Sequence, residues 1–274
     1  MFIRGGMKKL SSILRIVCLV ILVSPLALAW LPSSVFAGLV PSAIVESGYF
    51  SSLFLSFREL SITLAATMVF AMFISVLLGY VSVLSMKVGR GFANVLNAVE
   101  SIPSILIALF FYAPVSGFLA SHSNAVSSRM SLFVFVLAAT ITTLPEAVRS
   151  IAIPLTDLYN RKYSLSFRSY GFPKHRILAV LMNTGLMRNA LKRVAAGILL
   201  KTLVLDCSFG FIIQLGLGSY GTPAHLSPGA LIAANRDAVL EGGTPILFWL
   251  PSVLLIAISV AFLLMLNDIK EDAE

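Results

Sequence analysis

An all-α, multi-pass membrane protein with six spans is the fold class the sequence predicts, on three observations. Apolar residues make up 58% of the 274 residues and charged residues only 12%, with a mean hydropathy of +0.95. An ordinary soluble domain carries about 25% charged residues. The apolar residues fall into blocks near the ~20-residue helix length that crosses ~30 Å of hydrocarbon, and the basic residues are segregated between those blocks.

The blocks place spans at about 11–36, 60–85, 95–120, 130–150, 194–216 and 245–267. All must be helical, because lipid offers no partner to an unpaired backbone N–H or C=O. Residues 1–59 read as an anchor helix with an outer loop, and 60–274 as a transmembrane domain carrying a polar loop at about 155–180.

The basic residues orient the spans, since Lys and Arg in short loops favour the cytoplasm. Arg4, Lys8, Lys9, Arg15, Lys87, Arg90 and Lys270 fall on one side. Arg149, Arg161, Lys162, Arg168, Lys174, Arg176, Arg188, Lys192 and Arg193 fall on the same side. Only Arg58, Arg129 and Arg236 fall opposite, with Lys201 inside the fifth span. Both termini are therefore expected in the cytoplasm, and the net charge of +8 reads as a topology signal. Basic residues divided among short loops give no support to nucleic-acid binding.

Arg and Lys before an apolar run, with small residues at Ala27, Ala29 and Ala37, can also describe a cleaved secretory signal. The run from Ile13 to Ala37 exceeds the ~7–15 residues of a signal core, which favours a retained anchor. Cys18 and Cys207 both fall within spans, so no disulfide framework is implied and both are expected as buried packing residues.

Motifs for hydrolysis are missing: there is no GxxxxGK[ST], HExxH or GxSxG, and the only histidines are His122, His175 and His225. The chain is not expected to be an enzyme, and no metal or cofactor site is expected. Charges within spans usually face a bundle interior or a water-filled path. Glu100 in the third span and Asp206 in the fifth are therefore candidates for the substrate pathway, with an internal partner as the alternative for Asp206. Glu146 and Arg149, three apart on a helix, are expected to pair, and Lys201 to snorkel to the surface.

The polar segment from Tyr163 to Leu178 lies between long apolar blocks, which holds it at the water boundary. Together with its neighbours it resembles the cytoplasmic loop of bacterial ABC-importer permeases, in which Glu-Ala-Ala is followed by a glycine and a basic amphipathic helix. Gly171 matches that glycine, and Tyr163 and Arg168 match a Tyr and an Arg of the pattern. The closest likeness is to the shorter, C-type subunit of the peptide/nickel (oligopeptide/dipeptide) family. It extends from Leu60 to the end through Gly79-Tyr80, Ser101-Ile-Pro-Ser, Leu215-Gly-Leu-Gly218, Pro223, Ser227-Pro-Gly229, and Trp249 with Pro251. The chain departs from the family where Leu165 replaces its Glu, Ser166 and Phe167 its two alanines, and Pro228 its Trp.

The resemblance implies the type I importer permease fold in a bacterial inner membrane. It also implies a second permease subunit as heterodimeric partner, two cytoplasmic ATPase subunits and an extracytoplasmic substrate-binding protein. Tyr163, Leu165, Arg168, Gly171, Lys174 and Arg176 would form the ATPase-coupling loop, with Gly171 turning the chain between two short helices. Gly216, Gly218 and Pro223 would shape a turn at the outer mouth. Read without the resemblance, the basic loop could lie on anionic headgroups, and the glycines could simply end a helix. The rival function is an ion-coupled secondary transporter or channel that uses Asp206 and Glu100 as its charges.

Overall fold

The computed structural model describes residues 17–32, 48–121, 128–217, 226–239 and 244–271, and every regular element among them is helical. The α-helices are α1 (Val17–Leu28), α2 (Tyr49–Leu84), α3 (Met86–Glu100), α4 (Ser104–Ser121), α5 (Ser128–Asn160), α6 (Lys162–Ser169), α7 (Lys174–Met182), α8 (Gly185–Leu217), α9 (Pro228–Ala234) and α10 (Ile246–Glu271). A 3-10 turn, Arg236–Val239, follows α9.

Helices α2, α5, α8 and α10 are long and apolar enough to cross a membrane, which fits a multi-pass membrane protein. A fifth crossing exists only if α3 and α4 are counted together, and those two meet at 87°. Two expectations need correcting. The third span is not one helix over 95–120: the residue before a proline is pushed out of the α region, and the chain breaks at Ser101–Ile102 ahead of Pro103. In the first, α1 ends at Leu28 rather than near 36, and residues 1–16 lie outside the described residues.

The chain divides into two compact units. One comprises Thr63–Leu205 with Leu266–Glu274, and its core joins Ala71 and Val83 of α2, Ile151, Leu155 and Leu158 of α5, Ile177, Leu178 and Leu181 of α7, and Met187, Val194 and Ile198 of α8. Gly79 allows α2 and α5 to approach closely, since a Cβ there would stand 2.8 Å from Ile151 Cγ2. Helix α5 contains Pro145 and Pro154, yet remains one helix. Thr142 and Thr143 donate back to the Ala139 carbonyl at 2.9 and 3.0 Å, and Thr156 to the Ala152 carbonyl at 2.7 Å. These hydroxyls bond carbonyls other than those the prolines leave without a helical donor, which lie four residues earlier on Ile141 and Ser150.

The other unit comprises Met1–Ile62 with Asp206–Met265. Trp30, just beyond α1, donates from Nε1 to Ser61 Oγ at 2.9 Å, and the Arg58 guanidinium lies 4.6 Å from the centre of its ring. Short helix α9 seats against α8 through two glycines: a Cβ on Gly229 would overlap the Cys207 carbonyl, and one on Gly210 the Ser227 hydroxyl. Ser227 Oγ also caps α9 by accepting from the Ala230 N–H at 3.2 Å. Contrary to expectation, Cys18 is exposed, because α1 has no neighbour over that face among the described residues. Cys207 is partly buried.

Pro251 lies within α10 and has no N–H, so the carbonyl four residues earlier, on Leu247, loses its helical donor. The Tyr49 hydroxyl, at the start of α2, donates to that oxygen at 2.6 Å. Removing the donor of a partly buried acceptor costs about 1 kcal/mol. Tyr49→Phe is therefore expected to destabilise the chain by about that much, and to cost almost nothing in a Pro251→Ala background, where the helical N–H is restored. A double-mutant cycle of unfolding in detergent checks this, and an equal cost in both backgrounds would show that the hydroxyl does not serve that carbonyl.

Candidate functional site

The segment singled out by sequence forms two short helices, α6 and α7, joined by a four-residue turn. Arg161 is extended and separates α6 from α5. At the other end of α6, Gly171 has φ +77°, a left-handed conformation that costs glycine little and other residues ~1–2 kcal/mol. The Gly171 N–H donates to the Arg168 carbonyl at 2.9 Å and the Phe172 N–H to the Phe167 carbonyl at 3.2 Å. This double bond pattern is the Schellman termination. The rings of Phe167 and Phe172 meet edge to face, 6.0 Å apart, as the apolar contact that accompanies it. Pro173 then fixes the extended entry into α7.

Helix α7 is fastened on three sides. Ile177, Leu178 and Leu181 are buried in the core beside α5 and α8. Tyr80 of α2 donates its hydroxyl hydrogen to the His175 carbonyl at 2.9 Å. Lys174 Nζ donates to the carbonyl of Leu84, the last residue of α2, at 3.0 Å. A helix's final carbonyls lack intrahelical donors and carry the negative end of its dipole, so an ammonium there is favourable.

Helix α6 is fastened at one point. Arg168 lies with its guanidinium 3.7 Å from the centre of the Tyr159 ring and donates from Nη2 to the Tyr159 carbonyl. Lys174 Nζ is 5.3 Å from the same ring, so Tyr159 receives a cation from each short helix. Otherwise α6 is open, with Ser164 its only buried residue. Tyr163, Leu165, Phe167 and Phe172 are exposed, and Tyr170 is 81% exposed. Arg176 is also exposed, 6.0 Å from the Phe172 ring.

The six candidate loop residues thus separate by role. Arg168 and Lys174 turn inward and hold the loop to α5 and α2. Tyr163, Leu165 and Arg176 stay on the surface, and Gly171 sets the turn. Sequence reasoning missed Tyr159 and the donor role of Tyr80, because both act across distances of 9 to 95 residues.

Asp206 is fully buried in α8, beside the Cys207 carbonyl on which Gly229 rests. Glu100 is the last residue of α3 and accepts from Arg149 Nη2 at 2.6 Å, while Asn97 Oδ1 accepts from the same nitrogen at 2.8 Å. This corrects the expected Glu146–Arg149 pair: residues three apart on a helix can face different neighbours, and α3 offers Arg149 two acceptors at once. Glu146 instead faces Lys201 of α8, at 3.5 Å, so Lys201 has an ion-pair partner. Gly216 lies in the last turn of α8, while Gly218 and Pro223 lie outside the described residues. Among the described residues no three His, Cys, Asp or Glu side chains converge to hold a metal ion.

Compared with known proteins, the chain matches no family model and no curated relative.

The clamp on α7 has a measurable strength. Each of its two polar ties is worth about 1 kcal/mol, so Lys174→Met or Tyr80→Phe should speed hydrogen exchange of the α7 amides roughly fivefold. Exchange in the middle of α5 should not change. Uniform acceleration across both helices would mean that the ties support the whole unit rather than the loop.

Proposed function

We propose that this chain is the membrane-spanning subunit of an ATP-binding cassette importer, of the peptide or nickel permease kind. The observation that carries the reading is the α6–α7 loop, which presents an apolar and aromatic face outward while its back is fastened to the ends of two spans. Exposed large apolar residues on a short polar helix mark a contact surface, and here the contact would be the cytoplasmic ATPase subunit. The resemblance in sequence supports the same assignment, and the missing phosphate-loop motif leaves ATP hydrolysis to that partner.

In this mechanism ATP-driven closure of two ATPase subunits presses on α6. The Tyr159 stack passes the displacement to α5, and the Lys174 and Tyr80 bonds pass it to α2. Helices α2 and α5 then tilt together, exchanging an outward-open pathway for an inward-open one, with a second permease subunit completing the pathway and a binding protein delivering cargo. Nucleotide drives the exchange only because it binds the two states with different affinity. Asp206, buried within α8, is the candidate pathway charge. The rival, an ion-coupled transporter or channel, rests on that same carboxylate, and Glu100 supports it less because it is paired with Arg149.

Three outcomes test the proposal. A reporter fused after Arg176 should signal from the cytoplasm and one after Gly229 from outside, following the division of basic residues. A photocrosslinker at Tyr170 should capture an ATPase subunit, whereas one at Tyr159, beneath the loop, should not. Gly171→Asp should leave the chain inserted but abolish the ATPase stimulation caused by loaded binding protein in reconstituted vesicles, and Leu165→Asp should weaken ATPase capture on the order of tenfold. Unchanged stimulation in the Gly171 variant would overturn the coupling role, and transport that follows an ion gradient without nucleotide would favour the rival.

A further inference from the structure

We infer that α3 lies in the plane of the membrane and seats on an anionic bilayer surface. This inference does not depend on the transport reading. Helix α3 is the most amphipathic of the long helices and meets the apolar helix α4 at 87°. If α4 enters the bilayer, α3 runs along its surface. A helix in that position should show three faces: one against protein, one apolar face for the acyl boundary and one cationic face for headgroups.

All three are present. The side bearing Asn97 and Glu100 packs toward α5, where both side chains bond to Arg149. A second side carries Val88, Phe92, Val95 and Val99, spaced four, three and four residues apart, which places them in one stripe. Val88 and Val95 are 42% and 61% exposed, while Phe92 and Val99 are half-buried, Phe92 at the edge of the cavity shared with α5. A third side, adjoining the packed one, carries Lys87, Arg90 and Asn94, all exposed, with Arg90 at the rim of the cavity that α3 shares with α5. Glu100, the only acidic residue of α3, is committed to Arg149, and no carboxylate of the described residues pairs with Lys87 or Arg90. Exposed apolar residues continue through Ile102 at the bend to Leu106 and Phe110 of α4. A partner protein could cover the valines. However, the adjoining cations and the continuity with the exposed apolar residues of α4 fit lipid, because Lys and Arg near an anionic surface strengthen attachment to it.

The test uses the full chain in vesicles, with nitroxide labels on single cysteines replacing Val88, Val95 or Asn94 in a background lacking Cys18 and Cys207. A label at Val69, exposed on α2, reports insertion independently. In vesicles with about a third anionic lipid, the ratio of oxygen to water-soluble nickel collisions should be severalfold higher at Val88 and Val95 than at Asn94. Lys87→Gln with Arg90→Gln should reduce that contrast, and should do so less in purely zwitterionic vesicles. Equal nickel access at all three sites would place α3 in water. Valine labels shielded from both reagents would show a protein partner, a second copy included. Either result, with Val69 still shielded from nickel, overturns the inference.

Discussion

Every backbone N–H and C=O in this chain must find a partner inside the protein wherever lipid excludes water, and the other features are ways of meeting that demand. Continuous helices meet it by default. The informative places are the interruptions. Pro251 frees the Leu247 carbonyl, and a tyrosine from a distant helix fills it. The Leu84 carbonyl is orphaned where α2 ends, and Lys174 supplies the donor. The carbonyls of Phe167 and Arg168 receive theirs through the turn at Gly171. The first two repairs also join distant elements, so long-range contacts arise where the local ladder fails.

The loop helices gain both positioning and order from these repairs. α7 belongs to the core, with three buried aliphatic residues and two polar ties to α2. α6 is held by Arg168 against Tyr159 and is otherwise a surface. The attachment of α6 to α5 combines a cation over the Tyr159 ring with a hydrogen bond to the Tyr159 carbonyl, and that of α7 to α2 is two hydrogen bonds beside buried aliphatic contacts.

Much of this was legible in the sequence, because apolar blocks, basic loops and the Gly171 turn are local signals. The positions of α2, α5, α8 and α10 follow from block length, and the two short helices around Gly171 were implied by the resemblance of that stretch to a permease loop. The 87° bend was less legible: residues 95–120 form one apolar run, and a run does not show that Pro103 breaks it, although the proline itself was the available sign. Ion-pair partners were not legible at all. Arg149 has Glu146 three residues away but bonds Glu100, 49 residues away, since the choice depends on which helix packs alongside. Tyr49 is unreadable for the same reason, as its acceptor lies 198 residues further on.

The turn at Gly171 is set by handedness rather than by crowding, for nothing stands within 4 Å of where its Cβ would be. An L-residue is resisted there by its own backbone, whereas a residue of the opposite hand favours that dihedral. A D-alanine at this one position would satisfy the same dihedral with fewer conformations to lose on folding. The segment is thus a place where a mirror-image residue would fit better than any L-residue with a side chain.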